Sequence, residues 1–173
     1  MAKKPTNHLL VIRLSAMGDV AISVPVLMAL TQQYPELRLT VLTRPLFAPL
    51  FAHLPNTEVF PIDPKGRHKG LRGLYRLFRE LKALEIDKVA DLHGVLRTHI
   101  LRGFFAFSSI PFQQINKGRK EKKALTRTKN KVFSPLLPTY LRYAKVFEAL
   151  DLPIALDKPL FTPKPALSEP LKE

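Results

Sequence analysis

The chain has 173 residues, with 28 Lys+Arg against 14 Asp+Glu, a formal net charge of +14, 16 prolines and no cysteine. That length supports one domain, and a 46% share of hydrophobic residues argues against disorder. The lack of cysteine excludes a disulfide scaffold, a thiolate metal site and cysteine catalysis, and no apolar run approaches the ~18 residues of a membrane span.

The first apolar run, His8 to Leu14, is β-branched in its middle, as a buried parallel strand is. It is short and broken by Arg13, which argues against a cleaved signal peptide. Ser15-Ala-Met-Gly-Asp19 reads as a turn and Val20 to Tyr34 as a helix, with Pro25 suggesting that its regular part starts there. Arg38 to Thr43 is a second strand, and Arg44-Pro45 opens a short helix from Leu46 to Leu54. Glu58 to Ile62 is a third strand, ended by Asp63-Pro64. Leu71 to Leu84 is an amphipathic helix: Leu71, Leu74, Phe78 and Leu81 make a core stripe, with Lys69, Arg72, Arg76 and Arg79 nearly opposite. Lys88 to Leu92 is a fourth strand, Leu96 to Phe107 a helix, and Pro111 to Asn116 a fifth strand. Lys117 to Lys131 has no apolar period and reads as a mobile loop, before a last helix from Tyr140 to Leu150.

Strands alternating with helices imply an α/β fold, a Rossmann-like parallel sheet flanked by helices on both faces. The domain is expected to span residues 1–151. From 152 to 173 the prolines Pro153, Pro159, Pro163, Pro165 and Pro170 punctuate a stretch without amphipathic period, which reads as a linker or extended tail.

The excess charge sits in two places. Pro64 to Lys82 holds seven Lys/Arg and one acid, and Lys117 to Lys131 holds eight and one. The rest of the chain has 13 basic and 12 acidic residues, so this is a balanced domain with two basic segments. Such clusters concentrate a field on phosphate, nucleic acid or lipid headgroups.

In an open parallel sheet, ligands bind beyond the carboxyl ends of the strands. The residues expected there are Ser15 to Asp19, Thr43-Arg44, Asp63 to Lys69 and Asp91 to Thr98. The first of these loops has the single glycine Gly18 and lacks G-x-G-x-x-G, which disfavours a nicotinamide dehydrogenase. A Gly-Lys-Ser/Thr phosphate loop and a Gly-x-Ser-x-Gly elbow are also missing, and the five histidines show no metal-ligand spacing. Asp19 has two open roles, a helix N-cap or a general base at the cleft mouth. Lys65 to Lys69 reads as an anion-binding loop, while the helix arginines beyond it suit either that role or simple solvation. Asp91 and His93 fit strand-end caps, and the Phe104, Phe105, Phe107 patch fits core, with any exposed portion able to meet lipid.

Ile12-Arg-Leu-Ser-Ala-Met-Gly-Asp-Val-Ala-Ile-Ser-Val-Pro-Val-Leu-Met-Ala-Leu30 resembles the opening of the lipopolysaccharide heptosyltransferases, glycosyltransferase family 9. Asp91-Leu-His-Gly94 followed by Arg97-Thr98 is similar to that family's second landmark, Asp-x-Gln-Gly and a basic helix start, with His93 where Gln is frequent. Tyr140-Leu-Arg-Tyr143 stands where the family tends to His-x-x-Glu-Arg. The likeness runs from about residue 8 to 155 and implies the N-terminal half of a GT-B architecture. That half holds the acceptor, and a C-terminal domain, absent from these residues, binds the nucleotide-sugar. The resemblance implies inverting transfer of a heptose or related sugar from an ADP-heptose-type donor to an anionic lipopolysaccharide inner-core acceptor. Asp19 is implied as the base, with Ser15, Gly18, Lys65, Arg67, Lys69, His93 and Gly94 around the acceptor. It also implies no tightly bound cofactor, a cytoplasmic place with peripheral contact at the inner membrane, and no turnover by the isolated chain; the histidine spacing, separately, gives no metal site. The alternative class is a basic α/β module for nucleic acid or anionic membrane. Nucleic acid is the less favoured partner, because aromatics do not interleave with the cations of Lys117 to Lys131.

Overall fold

The structure, a computed structural model, describes residues 7–156. Five parallel strands, β1 (His8–Ile12), β2 (Arg38–Thr43), β3 (Thr57–Pro61), β4 (Lys88–Asp91) and β5 (Phe112–Gln114), form one sheet in the order β3-β2-β1-β4-β5. The helices are α1 (Met17–Gln33), α2 (Gly70–Lys82), α3 (Leu96–Phe105), α4 (Arg119–Thr126) and α5 (Thr139–Glu148), with 3-10 segments at Pro45–Phe51 and Ala106–Ser108. The Rossmann-like expectation is met in both topology and direction of every strand.

β1 is buried along its whole length, and its side chains divide between two cores with the strand period of two. Leu9 and Val11 join Leu27, Leu30, Tyr143 and Phe147 on the α1–α5 face. Leu10 and Ile12 join Leu74, Leu77, Leu101 and Phe105 on the α2–α3 face. A side chain buried in this way contributes about 1.5–3 kcal/mol, so β1 anchors both layers.

Three sequence expectations need correction. First, α1 starts at Met17 and continues through Pro25. Pro25 withholds a donor from the carbonyl of Ala21, which lies on the exposed side where water can replace it. Second, Leu71 is 63% exposed, and the buried stripe of α2 is Leu74, Leu77, Phe78 and Leu81. The buried stripe begins at Leu74, and Leu71, one turn earlier, stands beyond the core that it covers. Gly73 fills the remaining contact, where a Cβ would stand 2.4 Å from the His68 carbonyl carbon.

Third, the segment expected as a mobile loop contains α4, an almost wholly polar helix held by tertiary contacts. Arg142 of α5 is buried, and donates to the carbonyls of Leu137 (2.9 Å) and Asn116 (3.1 Å) and to the Glu121 carboxylate (2.7 Å). One guanidinium thereby fastens the chain on both sides of α4. The first residues of the expected linker or tail, 152–156, lie as a docked strap. Leu152 is buried, and Ile154 and Leu156 pack on the α1–α5 core. Gln33 exchanges two hydrogen bonds with the Ala155 backbone (2.9 and 3.0 Å), and the Tyr34 hydroxyl donates to the Pro153 carbonyl at 2.8 Å. The rest of that proline-rich stretch lies outside the described residues.

Candidate functional site

The sheet order reverses between β1 and β4, whose connections leave toward opposite flanks. In open α/β sheets a crevice forms outside the carboxyl ends at such a point. Asp19 follows β1, and His93 and Gly94 follow β4, so the topology brings both sequence landmarks to one place.

Asp19 does not cap α1. The N-cap position is Ala16, without a side-chain cap bond, and Asp19 lies in the first turn. Its Oδ2 is ion-paired with Arg13, whose side chain is 6% exposed against 47% for Asp19. Arg13 also donates from Nη1 to the Leu92 carbonyl at 2.5 Å, and its guanidinium lies 5.7 Å from the centre of the Tyr143 ring. The Tyr143 hydroxyl in turn donates to the Asp19 carbonyl oxygen at 3.2 Å. Burial, and then the neighbouring Asp19, push the Tyr143 hydroxyl up to about 12 against the opposing pull of Arg13, so it stays a donor. A buried cation thus grips the carboxylate from below, while Asp19 Oδ1 takes no hydrogen bond from the described residues. The Ser15–Ala16 peptide bond before this turn is cis. Ser15 is half-buried and Gly18 exposed, and a Cβ on Gly18 would meet nothing within 4 Å.

On the β4 side, Asp91 is fully buried and organises the turn that follows. Its Oδ1 accepts the backbone N–H groups of His93 (2.9 Å) and Gly94 (3.0 Å), and its Oδ2 accepts from Gln114 Nε2 at 2.5 Å. The capping role expected for Asp91 is therefore what it performs. Gly94 has φ +56°, and a Cβ there would press on Ile115 and Lys117 at 3.2 and 3.3 Å. Thr98 Oγ1 accepts the Val95 N–H at 3.0 Å and donates to the Val95 carbonyl at 2.9 Å, closing the first turn of α3.

His93 projects from this turn with a buried Nδ1 that has no partner among the described residues. Burial, reinforced by Arg13, Lys117 and Arg44, holds its imidazole down at about 4, although Asp91 pulls the other way. His93 is therefore neutral at pH 7. Since its folded pKa lies below the unfolded ~6.5, its contribution to stability is complete above pH ~6.5 and is lost as pH falls toward 4. Urea unfolding at pH 7.5 and 4.5 should show a larger acid loss for the wild type than for His93→Gln. Equal losses would remove His93 from the pH response.

Lys117, absent from the sequence-derived site, belongs here. Burial, then Arg119 and Arg13, push its ammonium down, and Asp91 and Asp19 act against them. It lines a cleft of ≈ 360 Å³ with Gly94, Gln114, Asn116 and Lys120. Arg13, the most consequential omission, looks in the sequence like a flaw in a strand. A charge directly after the last strand residue, six positions before the aspartate, was the available signal.

The third group, Lys65, Arg67 and Lys69, lies beyond β3, two strands from β1 and hence roughly 10 Å away along the sheet edge. The loop is rigidly built. Asp63 accepts the N–H groups of Gly66 (2.8 Å) and Arg67 (3.0 Å), which hold its exposed carboxyl below the usual range. Buried His68 accepts the Asp63 N–H at Nδ1 (3.0 Å) and so donates from Nε2 to Glu80 at 3.0 Å. Arg67 pairs with Glu80 as well, at 2.5 Å. Burial pushes the Glu80 carboxyl up, but these two partners outweigh it and hold it below its ordinary value. Lys65 and Lys69 remain exposed. The structure thus places Asp19, His93 and Gly94 past the carboxyl ends of the adjacent strands β1 and β4, with the lysines two strands further along that edge.

No family model matches the chain. It is 28% identical over 95 residues to the lipopolysaccharide core heptosyltransferase OpsX of Haemophilus influenzae, covering 55% of this chain and 26% of that protein. Among solved structures it is similar to a family 9 glycosyl transferase of Veillonella parvula, with a TM-score of 0.59, 21% identity, and 88% of this chain and 44% of that one covered. Escherichia coli heptosyltransferase WaaC, solved with ADP-2-deoxy-2-fluoro heptose, gives a TM-score of 0.60 at 16% identity, over 87% of this chain and 50% of that one. The chain spans about a quarter of the curated relative's length and about half of each solved structure. The solved structures share the fold of this chain, and the likeness to OpsX falls in line with the sequence motifs quoted above.

Proposed function

We propose that this chain is the acceptor-binding, N-terminal half of an inverting glycosyltransferase, which moves a heptose or related sugar from a nucleotide-diphosphate sugar to an anionic lipopolysaccharide-core acceptor. The observation that carries the reading is Asp19. It is a half-exposed carboxylate at the reversal point of the sheet, with one oxygen held by buried Arg13 and the other without a partner among the described residues.

That arrangement suits general-base work, which needs a carboxylate fixed within hydrogen-bond reach of a hydroxyl. As the acceptor oxygen attacks the anomeric carbon, Oδ1 takes its proton. The bond between that carbon and the nucleoside diphosphate breaks, and the configuration inverts. Arg13 orients the carboxylate from beneath. His93, kept neutral, adds no charge to the crevice, while Lys117, Lys65 and Lys69 offer cations to acidic groups of the acceptor. Ser15, Gly18 and Gly94 border the space, Gly18 leaving room for close approach while Gly94 serves the turn and its packing on Ile115 and Lys117. Donor binding and leaving-group stabilisation fall to the half of such an enzyme that these likenesses do not cover. By itself the chain is expected to bind acceptor without turning it over.

No described helix is long and apolar enough to cross a membrane, and the proposed location is peripheral, at the cytoplasmic face of the inner membrane. A titration of the chain with a phosphorylated inner-core glycolipid tests the reading. Saturable binding that weakens in Lys65→Gln/Lys69→Gln is the expected result. Equal affinity for any DNA duplex, with a steep salt dependence, would favour the nucleic-acid alternative instead.

A further inference from the structure

The α2–α3 face holds residues that neither the core nor the crevice accounts for. Tyr75 of α2 meets Phe104 of α3 edge-on, with ring centroids 5.6 Å apart, so the seam between the helices is aromatic. Around it Leu71 is 63% exposed, Tyr75 51%, Leu96 77% and Phe107 93%. Large apolar groups exposed this far along two helices that pack on each other mark a contact surface. Helical spacing supports the grouping: Leu71 and Tyr75 lie one turn apart, and Leu96, Ile100 and Phe104 follow at intervals of four.

Beside the seam runs a row of arginines. Arg72, Arg76 and Arg79 are exposed and line a groove of ≈ 430 Å³ with Tyr75. Among the described residues none of them has a carboxylate partner, because Glu80, the one acid of α2, is taken by Arg67 and His68. Their charge is therefore not spent within the fold. Two features coincide here that suit an anionic bilayer: aromatic and leucine side chains able to enter the headgroup boundary, and unpaired guanidinium groups beside them.

We propose that the α2–α3 face docks on the surface of an anionic phospholipid bilayer, with Phe107 and Tyr75 inserted at the headgroup level and the arginine row against lipid phosphates. The exposure and charge stand independently of catalysis. The use of the face rests on the reading above: α2 begins directly after the Lys65–Lys69 loop, so a bilayer beneath α2 would present a lipid-anchored acceptor at the edge of the crevice.

The test is sedimentation of the whole chain with acceptor-free vesicles of phosphatidylcholine alone and with about one third phosphatidylglycerol. Binding only to the anionic vesicles is expected. Phe107→Ser should weaken it about tenfold, and Arg72→Gln/Arg76→Gln/Arg79→Gln on the order of a hundredfold. All four side chains are exposed, so these variants should keep the wild-type circular dichroism. The control is Lys120→Gln/Lys122→Gln/Lys123→Gln, which removes as much charge from α4 and should leave binding within about threefold of wild type. Three results would each overturn the proposal: no vesicle binding, an α4 variant as defective as the α2 variant, or a DNA duplex that displaces the protein from vesicles at equal phosphate. Because the vesicles carry no acceptor, failure here would leave the acceptor titration standing, and failure there would leave this face intact.

Discussion

Asp19→Asn, introduced into an enzyme carrying both halves, is expected to lower kcat by about 10²–10⁴, the usual share of a positioned general base. The substitution keeps the size and hydrogen-bonding shape of the side chain, and Asp19 is half exposed, so the fold should not suffer. On the proposed reading other groups hold the acceptor, so its dissociation constant should change little. Steady-state kinetics with acceptor varied at saturating donor separate the two quantities. Near-normal turnover would falsify the base assignment, whereas lost binding with unchanged kcat would make Asp19 a docking group. Arg13→Lys sharpens the comparison. A lysine can still neutralise the carboxylate, but it cannot also span to the Leu92 carbonyl with a planar fork, so the turn should loosen and kcat fall by a smaller factor.

Asp91→Ala should destabilise the domain by about 3–5 kcal/mol. Its buried carboxylate satisfies two backbone N–H groups and the Gln114 amide, and alanine leaves all three without an acceptor in a site closed to solvent. Asp91→Asn retains an oxygen for the two backbone donors, and Gln114 can turn its amide to match, so about 1–2 kcal/mol is expected. Urea denaturation followed by circular dichroism measures both. An alanine variant within about 1 kcal/mol of wild type would mean that the turn carrying His93 and Gly94 is held by packing alone.

The contrast between these two aspartates shows what could be read in advance. Strand and helix order was legible because β1, β2 and β4 are short apolar runs between turn residues, and those patterns arise from burial on both faces of one sheet. Asp91 was legible as a cap because a carboxylate just after a strand has backbone donors within local reach. Asp19 was ambiguous because its environment is not local. Arg13 becomes its partner only through the Leu92 carbonyl and the ring of Tyr143, which approach from elements 79 and 124–130 positions away by sequence. The same reason hid α4, whose residues favour solvent and whose attachment comes from Arg142. Leu71 was misread for a different cause. Periodicity gives the direction of a stripe but not where the sheet beneath it stops, and the first turn of α2 lies beyond that point.

The docked strap at residues 152–156 has a mechanical meaning. It is tied to Gln33 and Tyr34, at the opposite end of α1 from Asp19. A helix of 17 residues is about 25 Å long, so the strap lies toward the far edge of the sheet from the crevice. A rotation of about 10° there sweeps roughly 4 Å at the crevice mouth, enough to admit or expel a layer of water. Gln33 thus fixes, about 25 Å from Asp19, the far end of the helix whose first turn carries that carboxylate.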